Sequence, residues 1–229
     1  MRFAIGDIHG CLKTTNLLID KLRQISPELT LYFLGDYIDR GPDSRAVLDR
    51  LIELKSNSPS IYILRGNHEQ MMLDTYKHID NNNYILWQKN GSKQTLSNFS
   101  VPKGIIDISN YIPEKYIHFI ESMPYFIETD QFFLSHAGIN FNSVNPFTDT
   151  MSMIWMREEN YNTELAKGKY IIHGHTQLPV EQIIKNIKNQ NKTICIDSGC
   201  IYKYINGFGK LSALNLDTFE LISIDNIDI

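Results

Sequence analysis

The stretch GDYIDRG, Gly35 to Gly41, constrains this chain most, because it sets a carboxylate, Asp36, just past the end of a strand. The run before it, LTLYFL from Leu29 to Leu34, is apolar, β-branched and aromatic and bounded by turn residues, so it reads as a buried strand. In open α/β sheets ligands bind outside the carboxyl ends of the strands, where such a carboxylate can meet groups from neighbouring strands. The layout recurs: RFAI runs into GDIHG, IYIL into RGNHE, FFLS into HAG, and KYII into HGHT. Strand ends thereby carry Asp7 and His9, Asp36, Asn67 and His68, His136, and His175. One such residue alone is usually a turn or capping residue. Five ordered motifs of this kind are the inventory of a metal site.

The segment from Cys11 to Ile25 has Leu12, Leu18, Leu22 and Ile25 at mostly helical spacing, with Ser26-Pro27 to end it. GPDSRAVLDRLIELK predicts a second helix with Pro42 near its first turn. The first seventy residues thus alternate strand and helix, the pattern of a sheet covered by helices and an α/β fold. From Glu69 to Pro124 the texture becomes mostly helical, read as an insertion at the rim of the site where substrate choice would be made. PYFIE, FFLS, KYII, TICID, KLSALNL and FELISI then follow, more strands than the first portion needs, so two sheets are expected. No linker or repeat interrupts residues 1–229, which predicts one domain.

Composition excludes several classes. The chain carries 22 Lys and Arg against 26 Asp and Glu, a net charge of −4, without the basic run that a nucleic-acid partner requires. The few residues before Gly6 are too short for a signal peptide or a membrane span, so a cytoplasmic location and no membrane partner are expected. Cys11, Cys200 and Cys195 form no CxxC pair and read as reduced packing residues.

A pair of divalent cations needs ligands that are partly anionic, to offset charge, and partly imidazole, to favour transition metals over magnesium. Asp7, His9 and Asp36 would make one half-site; Asn67, His136 and His175 would make the other, with Asp36 shared. Two ions about 3.5–4 Å apart can hold a water or hydroxide between them and clamp phosphoryl oxygens for in-line attack. His68 would stand as general acid on the departing oxygen, with Asp39 orienting its ring. Arg40 and Arg157 are the phosphate contacts, joined by Asn67; the apolar run before Arg157 in MIWMRE is expected to turn it toward a cleft. Outside the motifs, His78 and His118 read as surface residues, His173 as a strand residue pointing away, and Trp87 as a packed aromatic. Glu69 reads as a site support or a helix start, and Asp197 and Ser198 as neighbours of the ligands.

Taken together, GDIHG, GDYIDRG, LRGNHE, HAG and HGHT resemble the metallophosphoesterases, and within them the branch of serine/threonine phosphoprotein phosphatases with its bacterial and phage forms. The resemblance spans residues 6 to 176. It implies a four-layer fold, a central two-sheet β-sandwich flanked by helices, and two divalent ions, manganese or alternatively iron or zinc. It implies the ligand, acid-pair and arginine roles given above. Gln177 stands where many relatives outside this branch have a second histidine, which leaves one ion with three protein ligands. Cys11 stands where many eukaryotic protein phosphatases have glutamine. The expected reaction is hydrolysis of phosphomonoesters, phosphoserine or phosphothreonine in proteins, with other small phosphoesters as possible partners. The alternatives are symmetrical hydrolysis of diadenosine tetraphosphate and, in another class, an inactive binding module on the same fold. Because every ligand position is filled, the last is disfavoured.

Overall fold

Alternation within the strands decides the architecture, since neighbouring side chains in a strand point to opposite faces. In β1 (Arg2–Ile5), Phe3 and Ile5 face one apolar cluster and Ala4 another. In β2 (Thr30–Phe33), Leu31 and Phe33 join the first cluster and Tyr32 the second. The structure, a computed structural model, describes every one of the 229 residues except Glu159. Among the described residues β1 and β2 pair in parallel, as do β2 and β3 (Ile61–Ile63). The sheet is completed in the order β3-β2-β1-β8-β9 by the antiparallel strands β8 (Lys210–Asn215) and β9 (Leu221–Asp225).

A second sheet, ordered β4-β5-β6-β7, holds β4 (Phe126–Glu128), β5 (Phe132–Ser135), β6 (Tyr170–His173) and β7 (Thr193–Cys195), the last three parallel. Phe132, Leu134, Ile172 and Ile194 from this sheet meet Ala4, Tyr32 and Leu214 from the first, and these residues are the filling of a sandwich. The expected two-sheet α/β fold is present.

On the outer face of the first sheet lie α1 (Leu12–Ile25) and α2 (Ser44–Asn57), which bury Leu18, Ile19 and Leu22, and Val47, Leu48, Leu51 and Leu54, at helical spacing. Both stop at a Ser-Pro pair, because proline pushes the residue before it out of the helical region. Ser26 (φ −147°) and Ser58 (φ −152°) are extended. Pro42 lies just ahead of the N-cap Asp43 of α2, near its first turn as expected, in the tight loop of residues 39–43 whose geometry serves the site.

Residues 69–124 supply most of α3 (Asn67–Lys77), with α4 (Asn81–Lys89), α5 (Lys93–Asn98) and α6 (Glu114–Glu121). The expected rim insertion is more than a rim: Met71, Met72, Trp87, Leu96, Phe99 and Tyr116 are buried in the same core as the first sheet. The opposite outer layer is slighter. Phe133 and Ile171 are covered by Ile139, Phe141 and Ala166 from irregular chain around the short α7 (Thr150–Trp155), while α8 (Val180–Lys188) buries Ile183 beside β7. Among the described residues no helix is long and apolar enough to cross a membrane.

The C-terminal tail closes the first helix. Asp228 accepts hydrogen bonds from the backbone N–H groups of Lys13 (2.9 Å) and Thr14 (2.8 Å) and from the Thr14 hydroxyl (2.6 Å), capping α1 from 214 or more positions away. These first-turn donors have no intrahelical acceptor. Asp228→Ala should cost about 1 kcal/mol, which is about 2–4 °C in the thermal midpoint of a chain this size. An unchanged melting curve would show that the tail does not hold α1.

Candidate metal centre

The ends of β1, β2, β3, β5 and β6 converge at one edge of the sandwich. His136 spans the two sheets there, donating Nδ1–H to the Leu34 carbonyl at 3.0 Å. The loops that follow the strands are tightly wound: of the nine described non-glycine residues at positive φ, five are His9, Asp36, Asp39, Arg40 and His175. Such conformations cost on the order of 1–3 kcal/mol each and persist only where the surroundings impose them. At Asp36 the imposing group is Glu69, whose carboxylate accepts the N–H groups of Asp36 (2.9 Å), Tyr37 (2.8 Å), Ile38 (3.2 Å) and Gly66 (3.1 Å). Glu69 therefore both supports the site and caps α3. Gly66 has to be glycine, because a Cβ there would lie 2.3 Å from Asp36 Oδ1.

Each oxygen of Asp36 faces a different group of nitrogens. Oδ2 lies 3.7 Å from His9 Nε2 and 3.8 Å from His68 Nε2. Oδ1 lies 3.3 Å from His136 Nε2. Asn67 Oδ1 is 3.0 Å from both His136 Nε2 and His175 Nδ1. Two sets, His9 with Asp36 and His68, and Asp36 with His136 and His175, bring their ligand atoms within 4.8 Å of one another, and all five residues are buried. Asp7 is buried beside them, accepting the His175 N–H at 3.1 Å.

This donor set fits divalent cations. His9 and His136 each commit Nδ1–H to a backbone carbonyl, of Ile38 and Leu34, which leaves Nε2 as the ring atom facing Asp36, at 3.7 and 3.3 Å from its oxygens. His175 Nε2 is buried without a hydrogen-bond partner. Charges are balanced poorly by the protein alone. Burial, then the carboxylates of Asp197 and Asp36, push Asp7 well above the usual carboxylate range. Burial works on Asp36 in the same direction, but His136 and His68 outweigh it and hold that carboxyl well below its usual value. Burial and then His136 lower His175 to about 3. A neutral imidazole and an ionised, shared carboxylate are the protonation states that a metal ligand needs.

Beside these groups stands a chain of hydrogen bonds ending at His68. Asp39 Oδ2 lies 2.6 Å from His68 Nδ1, and since a carboxylate only accepts, Nδ1 carries the proton. Arg40 donates to Nε2 of His68 (3.0 Å) and of His9 (2.8 Å), so its guanidinium spans both rings. Arg157 is exposed, with Met153 and Ile154 in the buried positions of α7 and the chain leaving the helix at Met156. Its charge still reaches His175, whose ring it helps keep neutral. His78 and His118 are exposed, and His173 is buried with Nδ1 toward the Gly174 carbonyl. Ser198 bonds to the Lys210 carbonyl and Ser212, behind the site.

Two site neighbours have little signal in the sequence. Trp87 packs at 0 % exposure, as expected of a core aromatic, but its indole N–H donates to Asp39 Oδ2 at 2.7 Å. The Thr95 hydroxyl donates to Asp39 Oδ1 at 2.5 Å.

This geometry has company among known proteins. Residues 3–202 match the calcineurin-like phosphoesterase family. The chain is 27% identical over 245 residues to a bis(5'-nucleosyl)-tetraphosphatase PrpE [asymmetrical] of Oceanobacillus iheyensis, covering 96% of this chain and 90% of that one. To the protein of the same name from Bacillus cereus it is 25% identical, covering 96% and 92%. Among solved structures it is similar to one described as a diadenosine tetraphosphatase (TM-score 0.66, 21% identity, 97% and 92% covered). It is also similar to a Saccharomyces cerevisiae serine/threonine phosphatase (TM-score 0.62, 16% identity, 100% and 80% covered). Since the family match runs from the first strand to beyond the last of the clustered ligand residues, the chain belongs to the calcineurin-like phosphoesterases.

Proposed function

We propose that the protein hydrolyses the phosphate chain of a dinucleoside tetraphosphate, cutting it into unequal halves, a nucleoside triphosphate and a nucleoside monophosphate. The reaction class is supported by Asp36, whose two oxygens each face a separate buried set of ligand atoms. The substrate is supported by the nearly full-length similarity to relatives named for that cleavage, which weighs against the phosphoprotein and the symmetrical dinucleotide readings of the motifs.

Asp7, His9 and Asp36 would hold one cation, and Asp36, Asn67, His136 and His175 the other. Bound there, two divalent ions would polarise phosphoryl oxygens and acidify a water. Arg40 sits over His9 and His68, where a guanidinium fork can take two phosphoryl oxygens. A phosphate reaching it would draw the guanidinium off His68 Nε2 and free that atom to carry a proton. Nδ1 stays committed to Asp39, so Nε2 is the atom that would deliver the proton to the departing oxygen. Arg157, at the exposed mouth, would meet the more distant part of the phosphate chain.

One observation favours a second reading, phosphoserine or phosphothreonine as substrate. A phosphate leaving group is ionised near neutral pH and departs without help, whereas a serine alkoxide requires a proton, and His68 is built to give one. The resemblance of GDYIDRG and LRGNHE to the protein-phosphatase pattern points the same way.

Three measurements test these assignments. Asp36→Asn should abolish turnover and lower the metal content of protein purified with manganese; two retained equivalents would remove Asp36 from its shared position. His68→Asn should cost 10²–10⁴ in kcat, the range of general-acid catalysis, on a phosphoseryl peptide and much less on p-nitrophenyl phosphate. Equal losses would make His68 a ligand, as its place 3.8 Å from Asp36 allows. Finally, diadenosine tetraphosphate should yield ATP and AMP. Two ADP would show symmetrical cleavage, and a kcat/KM at least about tenfold higher on phosphopeptides, about 1.4 kcal/mol, would establish the second reading.

A further inference from the structure

Helices α4 and α5 and the turn between them reach the site at one corner, where Trp87, Asn90, Gly91 and Thr95 bond to Asp39 and Arg40. Three donors fill the Asp39 carboxylate: His68 Nδ1–H and the Trp87 indole on Oδ2, at 2.6 and 2.7 Å, and the Thr95 hydroxyl on Oδ1, at 2.5 Å. The Asp39 backbone N–H in turn reaches Thr95 Oγ1 at 3.0 Å and Ser44 Oγ at 2.9 Å. Thr95 thus grips Asp39 at both backbone and side chain. The Arg40 N–H donates to the Gly91 carbonyl at 3.1 Å, and its Nε to the Asn90 carbonyl at 3.3 Å. Gly91, at φ 108°, lets the arginine pass, since a Cβ there would lie 2.7 Å from Arg40 Cγ.

Both gripped residues hold left-handed conformations, φ 71° at Asp39 and 68° at Arg40, which non-glycine residues keep only under such constraint. Trp87, Thr95 and Asp39 are all fully buried, at 0 % exposure, so none of these bonds competes with water. A carboxylate with one oxygen fixed by an indole and the other by a hydroxyl cannot rotate away from the imidazole it orients. From this wiring we infer that Trp87 and Thr95 are positioning residues for proton delivery: they lock the Asp39 carboxylate so that His68 points Nε2 at the leaving oxygen. Neither touches substrate. The inference rests on His68 acting as the acid, and its test separates the two.

The measurement is the dependence of kcat on leaving-group basicity, using p-nitrophenyl phosphate, phenyl phosphate and a phosphoseryl peptide, with manganese present. Trp87→Phe keeps a packed ring and removes the N–H; Thr95→Val keeps the shape and removes the hydroxyl; Thr95→Ser keeps the hydroxyl. Trp87→Phe and Thr95→Val should each lower kcat on the seryl peptide by roughly tenfold or more, part of the 10²–10⁴ of a general acid. On p-nitrophenyl phosphate they should lose under about threefold, with unchanged metal content. Thr95→Ser should restore the peptide rate. In a His68→Asn background neither change should cost anything further, because the ring they position is gone. If His68→Asn itself shows no leaving-group dependence, the acid assignment falls and the inference with it. If His68→Asn shows the dependence while Trp87→Phe and Thr95→Val lose activity equally on all three substrates, or on none, the inference alone is overturned.

Discussion

The structure depends on one carboxylate that does no chemistry. Glu69 collects four backbone N–H groups, three of them consecutive at Asp36, Tyr37 and Ile38, and so fastens the end of β2 to the start of α3. Two more bonds, from the N–H groups of Ile8 and His9 to the Asp36 carbonyl at 3.1 and 2.9 Å, bring in the loop after β1. Three of the loops that carry site residues are thereby welded into one body whose shape does not wait on a ligand. Asp36 can stay left-handed, and present one oxygen to each side, only because its own N–H and carbonyl are both engaged in this way.

The weld has an electrostatic cost. Asp7, Asp36, Asp39, Glu69 and Asp197 are all buried at one edge of the sandwich, and among the described residues the guanidinium in direct contact with the site's imidazoles is that of Arg40. Burying unpaired charge is among the least favourable things a fold can do. The protein responds by dividing the group. Asp36 remains ionised among imidazoles while burial and the charge of Asp36 raise Glu69 to about 7, and burial with Asp197 and Asp36 raises Asp7. Divalent cations relieve the same repulsion, so binding and stability are linked: whatever fills the site also removes a strain that the folded chain otherwise carries.

What the sequence disclosed follows from how local each constraint is. The clustered Asp, Asn and His residues could be read because each follows closely on its own strand, so a short apolar run and a polar residue suffice to place it. Two sheets could be read from the number of strands, while their packing as a sandwich was implied only by the resemblance of the motifs. Trp87 and Thr95 could not be joined to Asp39, 48 and 56 residues away, because a tryptophan whose N–H matters looks in sequence like any packed aromatic. The cap that Asp228 gives α1 is invisible for the same reason. For Arg157 the limit is of another kind: an apolar run fixes which residues of a helix are buried, but not how far a residue past the helix end stands out into solvent.

The insertion shows why this separation matters for function. Loops that choose substrates are usually loosely attached, which lets them vary without disturbing the fold. Here the corresponding segment shares its core with the first sheet and ends in bonds to Asp39 and Arg40. Its interior can therefore not drift without moving the proposed acid and the proposed phosphate clamp together. Any latitude in substrate choice must lie in the parts that face solvent, the exposed side of α4 and the stretch around Arg157, which make no comparable contact with the acid. A phosphorylated side chain would present a terminal phosphomonoester to the buried end, whereas a dinucleoside tetraphosphate, esterified at both ends, would present a bridging phosphate, so the two proposed substrates differ at the reacting group itself. In the proposed reaction the leaving group, an ionised phosphate in one case and a basic alkoxide in the other, decides how much of the Asp39 network would be used.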